Sequence, residues 1–225
     1  MPNWQQLDSA TDVADKAVEL INKAAKSAIE HHGSFSLVLA GGSTPLLAYR
    51  KLAMQHQQWN RWQLYYGDER CLPVEDSERN SQMVKNTGLT KYIKQHFIIP
   101  AELGSKIAAQ QYKDTIKNAI PFDMVILGIG EDGHTASLFP DLAWPQDDVA
   151  PVSGSPKPPS ERVTLGAKAL QNCHNMLILI TGENKKEAVQ AWQAGEALPI
   201  SKVCDMQHCH VLIERSLINN PSDHV

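Results

Sequence analysis

Apolar residues recur along the chain with two alternating periods. Val13, Ala17, Leu20, Ile21, Ala24 and Ala28 fall on one face of a helix, with Ser9 or Thr11 available as its cap and Gly33 as its stop. Residues 35–40, largely apolar, then predict a strand, and a helix entered at Pro45 extends to about Met54. The same rhythm predicts a strand at Trp62–Tyr66, a helix at Asn80–Lys85, a strand at 97–99 and a helix at 106–119. In that last helix Ile107, Ala108, Tyr112, Ile116 and Ala119 form the apolar face. Residues 124–127, Arg162–Leu165 and 176–180 predict further strands, 185–194 a helix, 210–213 a final strand and 214–217 its frayed exit. Strands alternating with helices imply an α/β fold, a three-layer α/β/α arrangement in which a mostly parallel, Rossmann-like sheet is flanked by helices.

Composition narrows the partners. Residues 145–159 hold five prolines between strand-like runs of similar character, so they are expected to be a surface loop and residues 1–225 a single domain. A formal charge of −4 gives no general attraction to nucleic acid or to an anionic membrane, so an anionic small molecule must be met by a local cluster of Arg and Lys. Four cysteines and no basic, apolar leader point to a reducing, cytoplasmic setting, and no apolar run approaches membrane length.

Candidate chemistry gathers where strands are expected to end. The run 124–127 stops in Gly128, Gly130 and Gly133, with Glu131, Asp132 and His134 among them. In open α/β sheets ligands bind just beyond such strand ends, and the glycines let the backbone turn there. Gly128, Gly130 and Gly133 also spell GxGxxG, but the context of a dinucleotide turn is missing: Pro140 follows too soon for a helix, and Asp147 and Asp148 sit in the proline-rich stretch. His134 is the candidate acid–base group, since imidazole titrates near neutrality, and Asp132 is placed to orient it. After the strand at 35–40, Gly41 and Gly42 permit close approach, Ser43 or Thr44 can cap, and Pro45 suits a first helical position, so amide donors face outward as for a phosphate. No Gly-Lys-Ser/Thr follows, which excludes a Walker A loop. Asp68, Glu69 and Arg70 stand at the next strand end, with Arg79 and Asn80 close behind as hydrogen-bond donors; Arg162 and Lys185 are candidate phosphate ligands. Cys204, His208, Cys209 and His210 invite a metal, yet neighbouring strand residues point to opposite faces and do not share an ion easily. No Gly-x-Ser-x-Gly elbow is present, which favours water over a serine nucleophile.

Six ordered blocks resemble the 6-phosphogluconolactonase family: LAGGSTP at 39–45, GDERCLP at 67–73, SERNSQM at 77–83, GIGEDGHTASLFP at 128–140, KPPSERVTL at 157–165 and ITGENK at 180–185. The resemblance spans nearly the whole chain and implies a sugar-phosphate isomerase-like fold that hydrolyses 6-phospho-D-glucono-1,5-lactone, in the oxidative pentose phosphate pathway, without metal or organic cofactor. It further implies that His134 activates water, that Asp132 orients the imidazole and that Arg70 supplies charge at the reacting carbonyl. Gly41, Gly42, Ser43, Thr44, Asp68, Arg79, Arg162 and Lys185 then bind the phosphosugar. No nucleic-acid or membrane partner is implied; a monomer is compatible with the sequence, which does not set the oligomeric state. The related glucosamine-6-phosphate deaminases typically carry Asp-Glu-Tyr at the place of Asp68, Glu69 and Arg70, and an Ala-Phe-Asn-Glu-Pro type sequence at 136–140, so both positions follow the lactonases. A non-catalytic phosphosugar sensor is the remaining alternative, opposed by the intact Asp132 and His134. Two departures stand out: Glu131 where many relatives have proline, and Gly166 where threonine is frequent.

Overall fold

The longest uninterrupted apolar runs become the centre of a seven-stranded sheet, in the order β1-β10-β9-β6-β2-β3-β5 with every pairing parallel. The computed structural model describes residues 2–204 and 207–218. Its strands are β1 (Asn3–Leu7), β2 (Phe35–Leu39), β3 (Trp62–Tyr66), β4 (Asp68–Arg70), β5 (Gln95–His96), β6 (Phe122–Leu127), β7 (Val149–Val152), β8 (Arg162–Leu165), β9 (Cys173–Ile180) and β10 (Cys209–Glu214). Its helices are α1 (Ala10–His32), α2 (Ser43–Ala53), α3 (Asn80–Lys85), α4 (Ser105–Ile116), α5 (Ala167–Gln171), α6 (Lys186–Gln193) and α7 (Pro199–Val203). All residues of β2 and β6 are buried, as a parallel sheet covered on both faces requires. No helix among the described residues is long and apolar enough to cross a membrane.

Helix α1 follows the expected pattern: the Ser9 side chain accepts from the Asp12 amide at 3.2 Å, and Gly33 closes the helix in the left-handed region at φ 88°. It packs against β2, β6, β9, β10 and α2. Helix α2 departs from expectation. It begins at Ser43 after Gly42, so neither Ser43 nor Thr44 caps it and Pro45 is its third residue. Gly42 lies at φ 97°, a conformation that L side chains rarely adopt, and this single turn frees both hydroxyls from capping.

Three other expectations change. The proline-rich stretch 145–159 is not only loop: Val149–Val152 pairs antiparallel with β8, which in turn pairs with β4, giving a separate three-stranded sheet. Pro151 is tolerated because β7 is an edge strand with an outward side free of ladder bonds. The strand expected at 97–99 forms two residues earlier, although the Phe97 amide still reaches Leu64 O at 2.8 Å. In α4 the buried residues are Ser105, Ala108, Ala109, Tyr112 and Ile116; Ile107 is off that stripe and 56% exposed. Strand β1, too polar to announce itself, is held by its ladder with β10.

Strand order reverses between β2 and β6. The chain leaves β2 towards β3 and β5, whereas β6 leads to β9 and β10 on the other side, so a crevice opens beyond the carboxyl ends of these two strands. The glycine-rich segments after β2 and β6 both empty into it.

Candidate active site

A cavity of about 370 Å³ occupies that crevice, within the ~300–1,000 Å³ usual for small-molecule sites. The turn after β2 supplies Gly41, Gly42, Ser43 and Thr44; β4 supplies Asp68 and Arg70; the turn after β6 supplies Gly128, Gly130 and His134; β8 supplies Arg162; and the segment after β9 supplies Thr181, Asn184 and Lys185. Nine of the expected site residues therefore meet in one place although they come from five segments of the chain.

His134 and Asp132 are joined through Nδ1 and Oδ1, and the same carboxylate oxygen accepts from the His134 amide at 3.2 Å. A carboxylate only accepts, so Nδ1 carries the proton and Nε2 keeps its lone pair. Burial pushes the imidazole pKa below its ordinary value, with the Asp132 bond and charge opposing, so the ring is neutral near pH 7. Burial raises the Asp132 carboxyl, but the bond from His134, its charge and backbone donors together outweigh it and hold the acid below the usual range. Asp132 does not itself line the cavity; it acts through His134. Gly130 is needed for this pair, because a Cβ there would overlap both the imidazole and the Asp132 carboxylate. Phe139 backs the ring, with centroids 4.7 Å apart.

The cavity is also cationic. Arg70 and Arg162 are cross-strand partners in the β4–β8 ladder, an arrangement of like charges that an anion between them would relieve. Arg70 Nη1 donates to Glu78 O at 2.6 Å, while its buried Nε has no protein partner. Burial pulls the Arg162 and Lys185 pKa values down, with Asp68 and Glu131 respectively opposing. Asp68 is pinned by Asn80 Nδ2 on one oxygen at 2.9 Å and by Ser137 Oγ on the other at 2.6 Å.

The expected site residue Arg79, unlike Asp132, neither lines the cavity nor bonds through its side chain to a residue that does. Its guanidinium is 1% exposed and bonded to Glu102 at 2.8 Å and Ile99 O at 2.8 Å, with Glu69 at 3.6 Å. The physical reason is Glu69, wholly buried, which accepts the amides of Asn80 and Ser81 at the start of α3 and needs a counter-charge. Asn80, its neighbour, is the one that faces the site. Sequence reasoning also passed over Thr181, Asn184 and Lys157; all three lie in or beside blocks already recognised, and their proximity to Lys185 and Arg162 was the available signal. Thr44 Oγ1 and Thr181 Oγ1, 2.7 Å apart, tie the turns after β2 and β9 together. At the far end of the fold, Cys204 and Cys209 approach to 3.0 Å between sulfurs, and Asp205 and Met206 between them lie outside the described residues.

The profile of the family described as glucosamine-6-phosphate isomerases/6-phosphogluconolactonase matches residues 8–213. The chain belongs to that family. Within it, the probable 6-phosphogluconolactonase of Schizosaccharomyces pombe is 31% identical over 199 residues, covering 78% of this chain and 77% of that protein. The 6-phosphogluconolactonase of Chlamydia pneumoniae is 31% identical over 176 residues, covering 75% and 68%. The crystal structure of 6-phosphogluconolactonase from Thermotoga maritima superposes with a TM-score of 0.85 at 29% identity, covering 95% of this chain and 99% of that one. A monomeric glucosamine-6-phosphate deaminase has the same fold, with a TM-score of 0.79 at 22% identity over 96% of this chain and 98% of that one. The family and the fold expected from the six sequence blocks are thus both found, while the fold alone serves lactonase and deaminase alike.

Proposed function

We propose that this family member hydrolyses 6-phospho-D-glucono-1,5-lactone to 6-phospho-D-gluconate, the lactonase step of the oxidative pentose phosphate pathway, in the reducing setting that four unpaired cysteines suit. The observation that carries the assignment is a histidine, oriented by a carboxylate, in a cavity that Arg70, Arg162 and Lys185 also line. His134 Nε2 takes a proton from water as the water oxygen adds to C1 of the lactone. Asp132 stabilises the imidazolium that results. Arg70, which lines the cavity, meets the charge developing on the carbonyl oxygen. The tetrahedral intermediate collapses by breaking the bond from C1 to the ring oxygen, which takes the proton back from His134, and the new acid ionises. The phosphate lies against the amides of the Gly42-Ser43-Thr44 turn and the Ser43 hydroxyl at the start of α2, with Arg162 and Lys185 beside it. Gly41 and Asp68 complete the sugar-binding surface.

Proton release from enzymatically generated 6-phosphogluconolactone tests this directly: the purified protein is expected to exceed the spontaneous rate, and His134→Ala to lose ~10²–10⁴-fold of kcat with its melting temperature kept. Ammonia release from glucosamine 6-phosphate would instead mark a deaminase. Binding of 6-phosphogluconate with no rate above background would mark a sensor.

A further inference from the structure

Lys157 lines the cavity and has no role in the mechanism so far. Its backbone is held from two sides: Ser155 Oγ accepts from its amide at 3.3 Å and donates to its carbonyl at 2.7 Å, and Arg162 Nη2 donates to the same carbonyl at 3.1 Å. Arg162 also donates to the carbonyls of Pro158 and Pro159, at 2.9 and 3.2 Å. A buried arginine therefore fixes a loop whose contribution to the cavity is a single lysine. The side chain of that lysine reaches Glu131, with Nζ 3.5 Å from Oε2. The other oxygen of Glu131 accepts from Asn184 Nδ2 at 2.7 Å, and Asn184 precedes Lys185. Glu131 is exposed and does not line the cavity, yet it bridges the loop before β8 to the segment after β9. The Asn184 bond, then the charges of Lys157 and Lys185, hold its carboxyl below the usual range.

We propose that Lys157 is a further phosphate-binding residue and that Glu131 is its built-in counter-ion, released when a phosphate dianion takes its place between Lys157 and Lys185. The proposal rests on the phosphosugar assignment above. Arg70, Arg162, Lys157 and Lys185 converge on one cavity, and without an anion their mutual repulsion is relieved on the Lys157 side by Glu131 alone among the contacts described. An exposed ion pair at this separation is weak, so it holds the lysine near the site without locking it. A monoanionic ligand gains little by displacing a tethered carboxylate. A phosphate, with about two charges and three acceptor oxygens, gains both charge and hydrogen bonds, so the exchange favours phosphorylated over unphosphorylated sugars.

The test is calorimetric titration of 6-phosphogluconate, at low ionic strength, into the wild type, Lys157→Met, Glu131→Gln and the double variant, with thermal melts to verify folding. Glu131→Gln keeps an acceptor for Asn184 and removes the charge. Lys157→Met is expected to bind roughly tenfold more weakly, Glu131→Gln several-fold more tightly, and the double variant like Lys157→Met, because the gain runs through Lys157. A wild type that binds while Lys157→Met binds equally well overturns the role of Lys157. A Glu131→Gln variant no tighter than the wild type, or a gain that survives in the double variant, overturns the counter-ion. Failure of the folded wild type to bind 6-phosphogluconate at all overturns the phosphosugar assignment itself.

Discussion

At the carboxyl ends of the parallel strands the cavity of about 370 Å³ is walled by glycine turns, one oriented histidine and four cationic side chains; at the amino ends a larger cavity of about 460 Å³ lies between the end of α1 and the starts of β6, β9 and β10. The second is lined by Leu20, Ala24, Met124 and Met176 together with His31, His32, His174 and His210, and it looks richer in titratable groups. The difference lies in what those groups are doing. At the amino end Asp123 accepts the Ser36 amide at 2.8 Å, the Ser36 hydroxyl at 2.9 Å and His32 Nε2 at 2.9 Å, so its carboxylate fastens β2 to β6 and the end of α1. Among the described residues no group of three His, Cys, Asp or Glu side chains could hold a metal. At the carboxyl end polar atoms are aimed by bonds behind them and left with capacity in front: Nε2 of His134 and the first amides of α2. Chemistry follows spare, oriented donors and acceptors and not cavity size.

The largest effect that would break this contrast is steric. Gly130→Ala places a methyl where the imidazole of His134 and the carboxylate of Asp132 now lie, and the backbone at Gly130 does not require a positive φ, so the side chains must give way. Displacing a catalytic group by about 1 Å costs on the order of 10²-fold, which is the expected fall in kcat, with KM little changed because the phosphate wall is untouched. A full-speed Gly130→Ala enzyme would remove His134 from the mechanism.

A smaller effect separates orientation from mere packing. Asp132 raises the His134 pKa against burial, which lowers it; Asp132→Asn removes the raising influence, so the imidazole loses its proton at lower pH. The acid limb of the kcat/KM profile should move to lower pH while the plateau falls roughly tenfold, since the amide no longer stabilises the imidazolium. A variant with a lower plateau and an unmoved acid limb would leave Asp132 a structural role only.

Much of this contrast is legible in the sequence because it is local. The run 124–127 ending in glycines, acids and a histidine announces a buried strand with a site at its end, and the GGSTP turn announces a phosphate-sized opening. What stays hidden depends on partners distant in sequence. Arg79 and Asn80 read alike as hydrogen-bond donors, and only the packing of β4 on α3 decides that Arg79 is sealed inside beside Glu69 while Asn80 faces the cavity. Helical spacing likewise placed Ile107 on an apolar stripe one step away from the true one, and prolines concealed β7, whose ladder partner lies beyond the loop. Periodicity reports a face; it does not report what covers that face.

Asp123→Asn makes the converse test at the amino end. The substituted amide keeps one acceptor oxygen for Ser36 and turns a nitrogen towards a donor, losing one charge-assisted bond from a buried position, so unfolding should cost about 1–3 kcal/mol less in denaturant titration. Five residue steps along the strand, about 16 Å at a rise of ~3.3 Å each, separate Asp123 from Gly128, where the turn that carries His134 begins. Beta strand β6 is buried throughout and paired on both sides with β2 and β9, so a lost bond at its start has no compliant element through which to reach His134, and kcat should stay within about twofold of the wild type. If kcat falls in step with stability, the two ends are one cooperative unit, and the separation of a structural end from a chemical end fails.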